Sequence, residues 1–414
     1  MAPSSAANWF ERKKLADAAD WLAVAFAVSL PWSTSATGIL AVLWAIALIP
    51  SLEWEKVRNE VTSAVGGLPV LLFALGLLGM AWADVSLHGR FGGLDSFVKL
   101  LAIPLLFAQF GRSERGVWIF GGYLASCAVL LAASTVVGLL PANAFIHLTW
   151  DKVLVKNSAT QGGEFVTCIF GLLYFAADLG DRERRAVAAG ALLLALAFLA
   201  NVLYVATSRT ALVTIVPLLL VLAVRRLSAK GAILLFCGVI LIGAVAWSSS
   251  PYLRFRTTSV WTEIGKYETN EGVTSSGERL EFYRKSLRFV ADAPVFGHGT
   301  GSIPELFRRS AVGQTGAAAS ATTNPHNQTF AVAIQLGLVG AVVLWAMWIA
   351  HLLLFRGPGL AEWIGAVIVV QNVVGSLFNS HLFDFVQGWV YVIGVGVAGG
   401  MVLKGRLTKP PGVP

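Results

Sequence analysis

The sequence predicts an all-α, polytopic integral membrane protein of about twelve transmembrane helices, with one large loop on the outer face. Three observations carry this. Hydrophobic residues make up 56% of the 414 positions and charged residues only 13%, against about 25% charged residues in soluble domains. The mean hydropathy is +0.71. Apolar runs recur from Trp21 to Leu403 with no stretch composed like a separate soluble domain. Length alone would allow two or three soluble domains, but this composition makes the bilayer the solvent.

A helix crosses the hydrocarbon core with about 20 mostly apolar residues. Such segments centre on residues 15–31, 37–51, 66–83, 96–110, 116–139, 162–179, 186–206, 210–224, 231–249, 326–355, 360–379 and 383–403. Pro31, Pro104 and Pro217 stand where a helix would kink or end. Arg12, Lys13 and Lys14 precede the first apolar run as in a signal peptide. The next run follows almost at once and no cleavage site is evident, so a retained first helix is expected. Cys127, Cys168 and Cys237 lie inside apolar runs without pairing or metal spacing and read as small packing residues.

Orientation follows from the distribution of Lys and Arg. With the N-terminus cytoplasmic, seventeen basic residues fall in cytoplasmic segments, against Arg90, Lys152, Lys156 and Arg209 in the short outer loops. Both termini are then expected in the cytoplasm. The net charge of +8 belongs to these loops and to anionic lipid surfaces, not to nucleic acid.

Three regions result: residues 1–249 with helices one to nine, 250–325 as the large outer loop, and 326–414 with the last three helices and a short tail. The loop holds nine basic residues. A loop of this length is uncommon unless functional or disordered, and long loops translocate largely regardless of charge. Ser275-Ser276-Gly277-Glu278 fits a helix capping box. Leu280, Tyr283, Leu287 and Val290 then recur at helical spacing, opposite Glu281, Arg284, Lys285 and Arg288. An amphipathic helix lying on the membrane domain or at its interface is expected there. A turn follows at Ala293–Gly299, and Gly313–Thr323 is small, polar and expected to be mobile.

No phosphate-binding P-loop, zinc signature or nucleophile elbow is present, and the glycine-rich Gly297–Gly301 lacks a strand–helix setting. Asp181-Arg182-Glu183, the nearest thing to a metal-binding carboxylate pair, reads as a solvated cytoplasmic turn. His326, where the loop meets the tenth apolar segment, either caps that helix or serves as a base, since imidazole titrates near neutrality. Arg209, in the tight Thr207-Ser208-Arg209-Thr210 connection, either snorkels to headgroups or binds a phosphate with its planar fork. Arg284 and Arg288 read equally as a solvated basic face. Arg279 opens the loop helix, where positive charge opposes the helix dipole, and so points to function.

In Ser208-Arg209 before a helix, Arg279, Pro294-x-x-Gly297-x-Gly299, and His326-Asn327 followed nine residues later by Gly337-Leu338-Val339-Gly340, the chain resembles the O-antigen ligase family. The motif resemblance covers residues 207–340; elsewhere it rests on architecture. It implies a bacterial inner-membrane glycosyltransferase whose large loop and active site face the periplasm. The donor would be glycan on undecaprenyl pyrophosphate, activated because the periplasm has no ATP, and the acceptor a sugar hydroxyl of lipid A–core. The resemblance gives His326 the role of base, and has Arg209 and Arg279 bind the pyrophosphate and stabilise it as it leaves. Arg284, Arg288 and Asn327 would contact substrate. A direct displacement with inversion and without metal or cofactor is the expected mechanism. An O-antigen polymerase or protein O-glycosyltransferase using the same donor is the nearest alternative. A secondary transporter or lipid flippase is the alternative of another class; it would show internal repeats, and none is evident.

Overall fold

The computed structural model describes residues 5–139, 153–178, 184–269 and 273–408. Asp181-Arg182-Glu183 and Lys152 lie outside the described residues. The described chain is all helical and contains no strand. The N-terminal part holds α1 (Ser5–Ser29), α2 (Thr34–Leu48), α3 (Trp54–Thr62), α4 (Ala64–Gly79), α5 (Leu87–Val98), α6 (Ala102–Phe110) and α7 (Gly116–Leu139). There follow α8 (Ser158–Asp178), α9 (Arg185–Tyr204), α10 (Arg209–Arg226) and α11 (Ala229–Ser249). The loop region holds α12 (Pro251–Glu268), α13 (Ser275–Asp292) and α14 (Ile303–Ala311), and the chain ends with α15 (Gln328–Leu354), α16 (Leu360–Gly375) and α17 (Phe385–Thr408).

All twelve apolar segments of the sequence fall on helix. Among the described residues, however, seven helices are long and apolar enough to cross a membrane, or eight if α3 and α4, bent by 83° at Ser63, count as one span. The shortfall has local causes. The α16 helix is only 16 residues long, α10 begins and ends in arginine, and α8 carries Gln161, Glu164 and several hydroxyls. The α11 helix shows the opposite extreme: Ile233, Leu234, Ile240 and Leu241 are all exposed, as suits a helix whose outer faces meet lipid. The protein is therefore a multi-pass membrane protein.

Helices in a bilayer are held by packing more than by a hydrophobic driving force, so small residues gather where they touch. On α17 a Cβ added at Gly396, Gly399 or Gly400 would come within 2.2–2.8 Å of Leu106, Phe107 or Phe110 of α6. The main core joins α1, α2, α4, α6, α15, α16 and α17, and a second joins α7–α10 to α16.

The connections sort into two ends. At one, Arg112 bonds Ser51, Arg225 bonds the carbonyls of Phe355 and Gly357, and Arg406 bonds that of Leu354. At the other, Trp82 bonds Gly297, Thr300 bonds Gly79, Arg209 bonds Arg256 and Tyr283 bonds Leu377. The described residues of the loop region 250–325 that make these bonds sit at this second end.

Three details of the loop differ from the sequence expectation. The cap of α13 is Thr274, whose side chain accepts from Gly277 N at 3.2 Å. Glu278 therefore falls one residue past the capping-box position and instead accepts from Ser320 Oγ. The buried face is also rotated: Leu280 and Leu287 are 41% and 59% exposed, while Glu281 and Lys285 are 7% and 4% exposed. Phe282 and Phe289 bury against Phe307 of α14, and their larger aromatic area decides which face turns inward. The segment expected to be mobile holds a short 3-10 turn at Gly316–Ala319, to whose Ala318 carbonyl Lys285 donates.

The α15 helix breaks at Gly337 (φ 64°, ψ −163°), a left-handed conformation that glycine adopts without Cβ strain. The loop repairs the freed backbone. His298 N and Gly299 N donate to the carbonyls of Ile334 and Gln335, and Leu338 N and Val339 N donate to Pro294 O and Val295 O. The Pro-x-x-Gly-x-Gly turn and the Gly-x-x-Gly signature are thus two halves of one interlock. The interlock fixes the short first segment of α15, and with it the position of His326.

Candidate functional site

His326 occupies the turn before α15 with φ 56°, one of two non-glycine residues in the left-handed region among those described. That conformation costs roughly 1–2 kcal/mol, comparable to one or two net hydrogen bonds at about 0.5–1.5 kcal/mol each. The bonds are present: His326 N donates to Asn324 Oδ1 at 2.8 Å, and Tyr283 Oη donates to His326 O at 2.9 Å. The imidazole stacks on Phe282, with centroids 6.0 Å apart and planes 18° from parallel. The cap of α15 is Asn327, not His326: Asn327 Oδ1 accepts from Phe330 N at 3.1 Å and Nδ2 donates to Leu377 O.

The ring is oriented through one nitrogen. His326 Nδ1 lies 3.1 Å from Asn379 Oδ1, which also accepts from Asn324 Nδ2 at 2.8 Å. Asn379 Nδ2 in turn donates to Asp384 Oδ2. An ionised carboxylate only accepts, so Asn379 must turn its amide NH₂ to Asp384 and its oxygen to the imidazole. His326 Nδ1 then carries the proton and Nε2 keeps its lone pair. Burial, followed by the nearby Arg279 guanidinium, holds the imidazole below its ordinary pKa, with Asn379 and Glu278 opposing. The ring is consequently neutral and basic at Nε2 near pH 7. Burial pushes Asp384 up to about 6, with Lys99 opposing, so the relay is intact at neutral pH.

Arg279 lies beside this ring, and Arg209 and Arg256 cluster with Arg279. Arg209, following the Ser208 cap of α10, is fully engaged: Nε donates to Arg256 O at 2.7 Å, and Nη2 to Ser259 Oγ at 2.7 Å and Glu263 Oε1 at 3.0 Å. Burial alone would raise the Glu263 carboxyl, but hydrogen bonds from Arg209 and Ser276 outweigh it and hold the group below its usual range. Arg279, one turn into α13, makes no hydrogen bond or ion pair among the described residues. Its field nonetheless reaches Arg209, Arg256 and Glu263, and burial and the neighbouring guanidiniums lower its pKa. Arginine stays protonated regardless. Arg256 Nε is buried without a partner. Three guanidiniums therefore cluster around one carboxylate that, among the described residues, only Arg209 pairs with, and the other two have unused donors. Such a cluster is built to receive an anion with several oxygens.

Of the residues singled out in the sequence, the structure sets Arg279 beside His326 and Arg209 beside Arg279. Arg284 and Arg288 are exposed along α13; Arg284 meets the Tyr267 hydroxyl, and neither is among the charges acting on His326 or Arg279. Asn379, Asp384, Arg256 and Glu263 had gone unassigned. Asp384 had a legible signal, an acid at the mouth of an apolar segment, but its link to His326 spans 58 positions and needs the fold. Among the described residues no three His, Cys, Asp or Glu side chains are grouped to hold a metal ion.

The profile of the family described as O-Antigen ligase matches residues 194–345, which run from within α9 through the loop to the kinked α15. An uncharacterized protein of Haemophilus influenzae is 32% identical over 121 residues, covering 28% of this chain and 30% of the relative. The chain thus spans under a third of that relative's length.

Proposed function

We propose, from the match of residues 194–345 to the O-antigen ligase family, that the chain transfers glycan from undecaprenyl pyrophosphate to a sugar hydroxyl of lipid A–core. The observation that carries this reading is the pairing of an unengaged guanidinium, Arg279, with a neutral imidazole whose free lone pair is fixed at Nε2. Glycosyl transfer from a lipid pyrophosphate needs these two groups: a base for the incoming hydroxyl and a cationic cradle for the outgoing pyrophosphate.

The reaction is a single displacement. The acceptor hydroxyl gives its proton to His326 Nε2 as its oxygen bonds to the anomeric carbon. The anomeric bond to the pyrophosphate oxygen breaks on the opposite face, which inverts the configuration. Negative charge grows on the leaving pyrophosphate, where Arg279 has unengaged donors and Arg209 and Arg256 add their field. A positioned base contributes about 10²–10⁴ in rate, and a preorganised donor to the leaving charge about 10²–10³. With guanidiniums neutralising that charge, the reaction is proposed to run without metal. The basic end of the bundle is placed in the cytoplasm with both termini, and the site faces the periplasm across the inner membrane.

The test is transfer by the purified full-length protein from undecaprenyl-pyrophosphate-linked glycan to lipid A–core in liposomes, with and without chelator. Product equal in both arms supports the reading. Growth of the glycan on its own lipid, or its appearance on protein, keeps the donor chemistry and assigns a polymerase or protein glycosyltransferase. Movement of intact donor across the bilayer without bond cleavage assigns a flippase.

A further inference from the structure

Lys99 lies at the junction of α5 and α6, inside an apolar helical stretch, and is only 8% exposed. An ionisable side chain buried within a membrane protein is costly and marks function. Its ammonium reaches across to the turn before α17, donating to the carbonyls of Phe383 and Asp384 at 3.0 Å each. Room for it is left on α17 itself, where a Cβ at Gly388 would come within 2.7 Å of Lys99 Nζ. The displacement itself does not need this lysine.

The placement works against helix stability. Phe383 and Asp384 directly precede α17, and a cation at a helix N-terminus opposes the helix dipole. Asp384 O already accepts from Gly388 N at 3.0 Å, so that carbonyl has a partner without the lysine. What the ammonium adds is positive charge beside Asp384, the residue that turns Asn379 and through it the His326 ring. Burial pushes the Asp384 carboxyl up to about 6, and Lys99 is the charge that opposes this. Of the remaining charges nearby, Asp95 acts on Lys99 itself. His88, Arg90, Glu305, Arg308 and Arg309 share a cavity wall with Asp384. There Arg90 is held by the carbonyls of Val85 and Met80, and Arg308 and Arg309 by Glu305 and Asp84. Burial holds His381, in the same turn, down at about 4 and so neutral.

We propose that Lys99 is a positioning residue of the transfer site: it keeps Asp384 ionised, and so keeps the His326 proton on Nδ1 and the lone pair on Nε2. The inference rests on the glycosyl-transfer reading. Without the ammonium, Asp384 takes up a proton near neutrality and becomes a donor. Asn379 can then turn its amide over, giving its oxygen to the Asp384 hydroxyl and its NH₂ to the imidazole. Nδ1 must accept in that arrangement, so the proton moves to Nε2 and the base is lost. The sign follows from the carboxylate. Asp384 works only when ionised, so activity is lost as pH falls through its pKa, and raising that pKa moves the loss to higher pH.

The experiment measures steady-state transfer against pH for full-length wild type, Lys99→Met, Lys99→Arg, Asp384→Asn and the double variant Lys99→Met/Asp384→Asn. Nitrogen-15 NMR of histidine-labelled protein in liposomes reports the His326 tautomer, its signal assigned by its loss in His326→Asn. Lys99→Met should move the acid limb up by about one pH unit or more. Its kcat should fall at pH 7 and recover at higher pH, with substrate KM unchanged. Its His326 proton should appear on Nε2 at pH 7 and return to Nδ1 as pH rises. Lys99→Arg keeps the charge and should hold the wild-type limb. In the Asp384→Asn background Lys99→Met should move nothing, because no carboxylate remains to titrate. A pH-independent loss in Lys99→Met, a limb that stays in place, or a shift that persists with Asp384→Asn overturns the assignment. If Lys99→Met does not fold, Lys99→Arg decides: a wild-type limb supports the role and a displaced one overturns it. A pH-dependent tautomer change in Lys99→Met, with no glycan transferred even by wild type, would leave the lysine's role standing and overturn the glycosyl-transfer reading alone.

Discussion

Arginines cluster at both ends of this bundle, in opposite circumstances. At the end holding Ser51 and Phe355, Arg112 gives both ends of its fork to Ser51 at 2.7 and 2.8 Å, Arg225 bonds two carbonyls at 2.8 and 2.6 Å, and Arg115 pairs with Asp17 and Asp20. Arg112 and Arg225 satisfy carbonyls that helix ends leave open, and Arg115 is neutralised by two carboxylates. At the other end Arg279 has no partner among the described residues and Arg256 leaves a buried donor unused. A half-buried cation without a counter-ion costs stability. The contrast teaches that the first set completes the fold and the second awaits a ligand.

The strongest way to break this comparison is at His326. His326→Asn keeps a side chain that tolerates the left-handed backbone and removes the base. Transfer should fall by about 10²–10⁴ while the protein extracts from membranes with an unchanged melting profile. Activity near wild type would reduce His326 to a helix-entry residue.

Next comes Arg279. Arg279→Lys should lose about 10²–10³ in kcat, because an ammonium cannot reproduce the planar fork. The pH profile sharpens this. The base works only when neutral, so activity rises with pH through the His326 pKa, which burial and Arg279 hold below its ordinary value. Arg279→Gln removes one lowering influence, so the acid limb should move to higher pH. Arg279→Lys keeps the charge and should leave the limb in place. Identical limbs in both variants would show that Arg279 does not act on His326.

A smaller effect is expected at Asp384, a positioning residue that acts through Asn379. Asp384→Asn allows the Asn379 amide to turn over, and kcat should drop by about 10–100-fold with little change in substrate KM. A loss appearing in KM instead would point to a packing role. Least affected is the opposite end: Arg225→Ala should cost no more than about 1–3 kcal/mol of stability, read as a lower melting temperature, and leave turnover unchanged.

Much of the fold was legible because bilayer crossing imposes a one-dimensional rule on composition. The positions of helices such as α7, α9 and α11 follow from apolar run length alone. The loop helix was legible in existence but not in facing. Periodicity placed Leu280 and Leu287 inward, whereas the aromatic Phe282 and Phe289 took the core and left Lys285 to find a carbonyl. At the site, His326, Arg209 and Arg279 stood out because each is an ionisable residue at a boundary where nothing local requires it. Arg256 did not stand out among nine basic residues of one loop.

What the sequence by itself determined is the membrane class, the helix positions and the basic residues at the mouth of the tenth segment, since these depend on local composition. Only the tertiary structure decided which arginine is engaged and which is open. Arg209 and Arg279 look alike in sequence, yet Glu263 of α12 folds back onto one and not the other. Only tertiary structure, too, set the protonated nitrogen of His326, through Asn379 and Asp384 more than fifty residues away. Hydrogen bonds are directional and short, so their partners are set by where helices pack, and run length and periodicity carry no information about that.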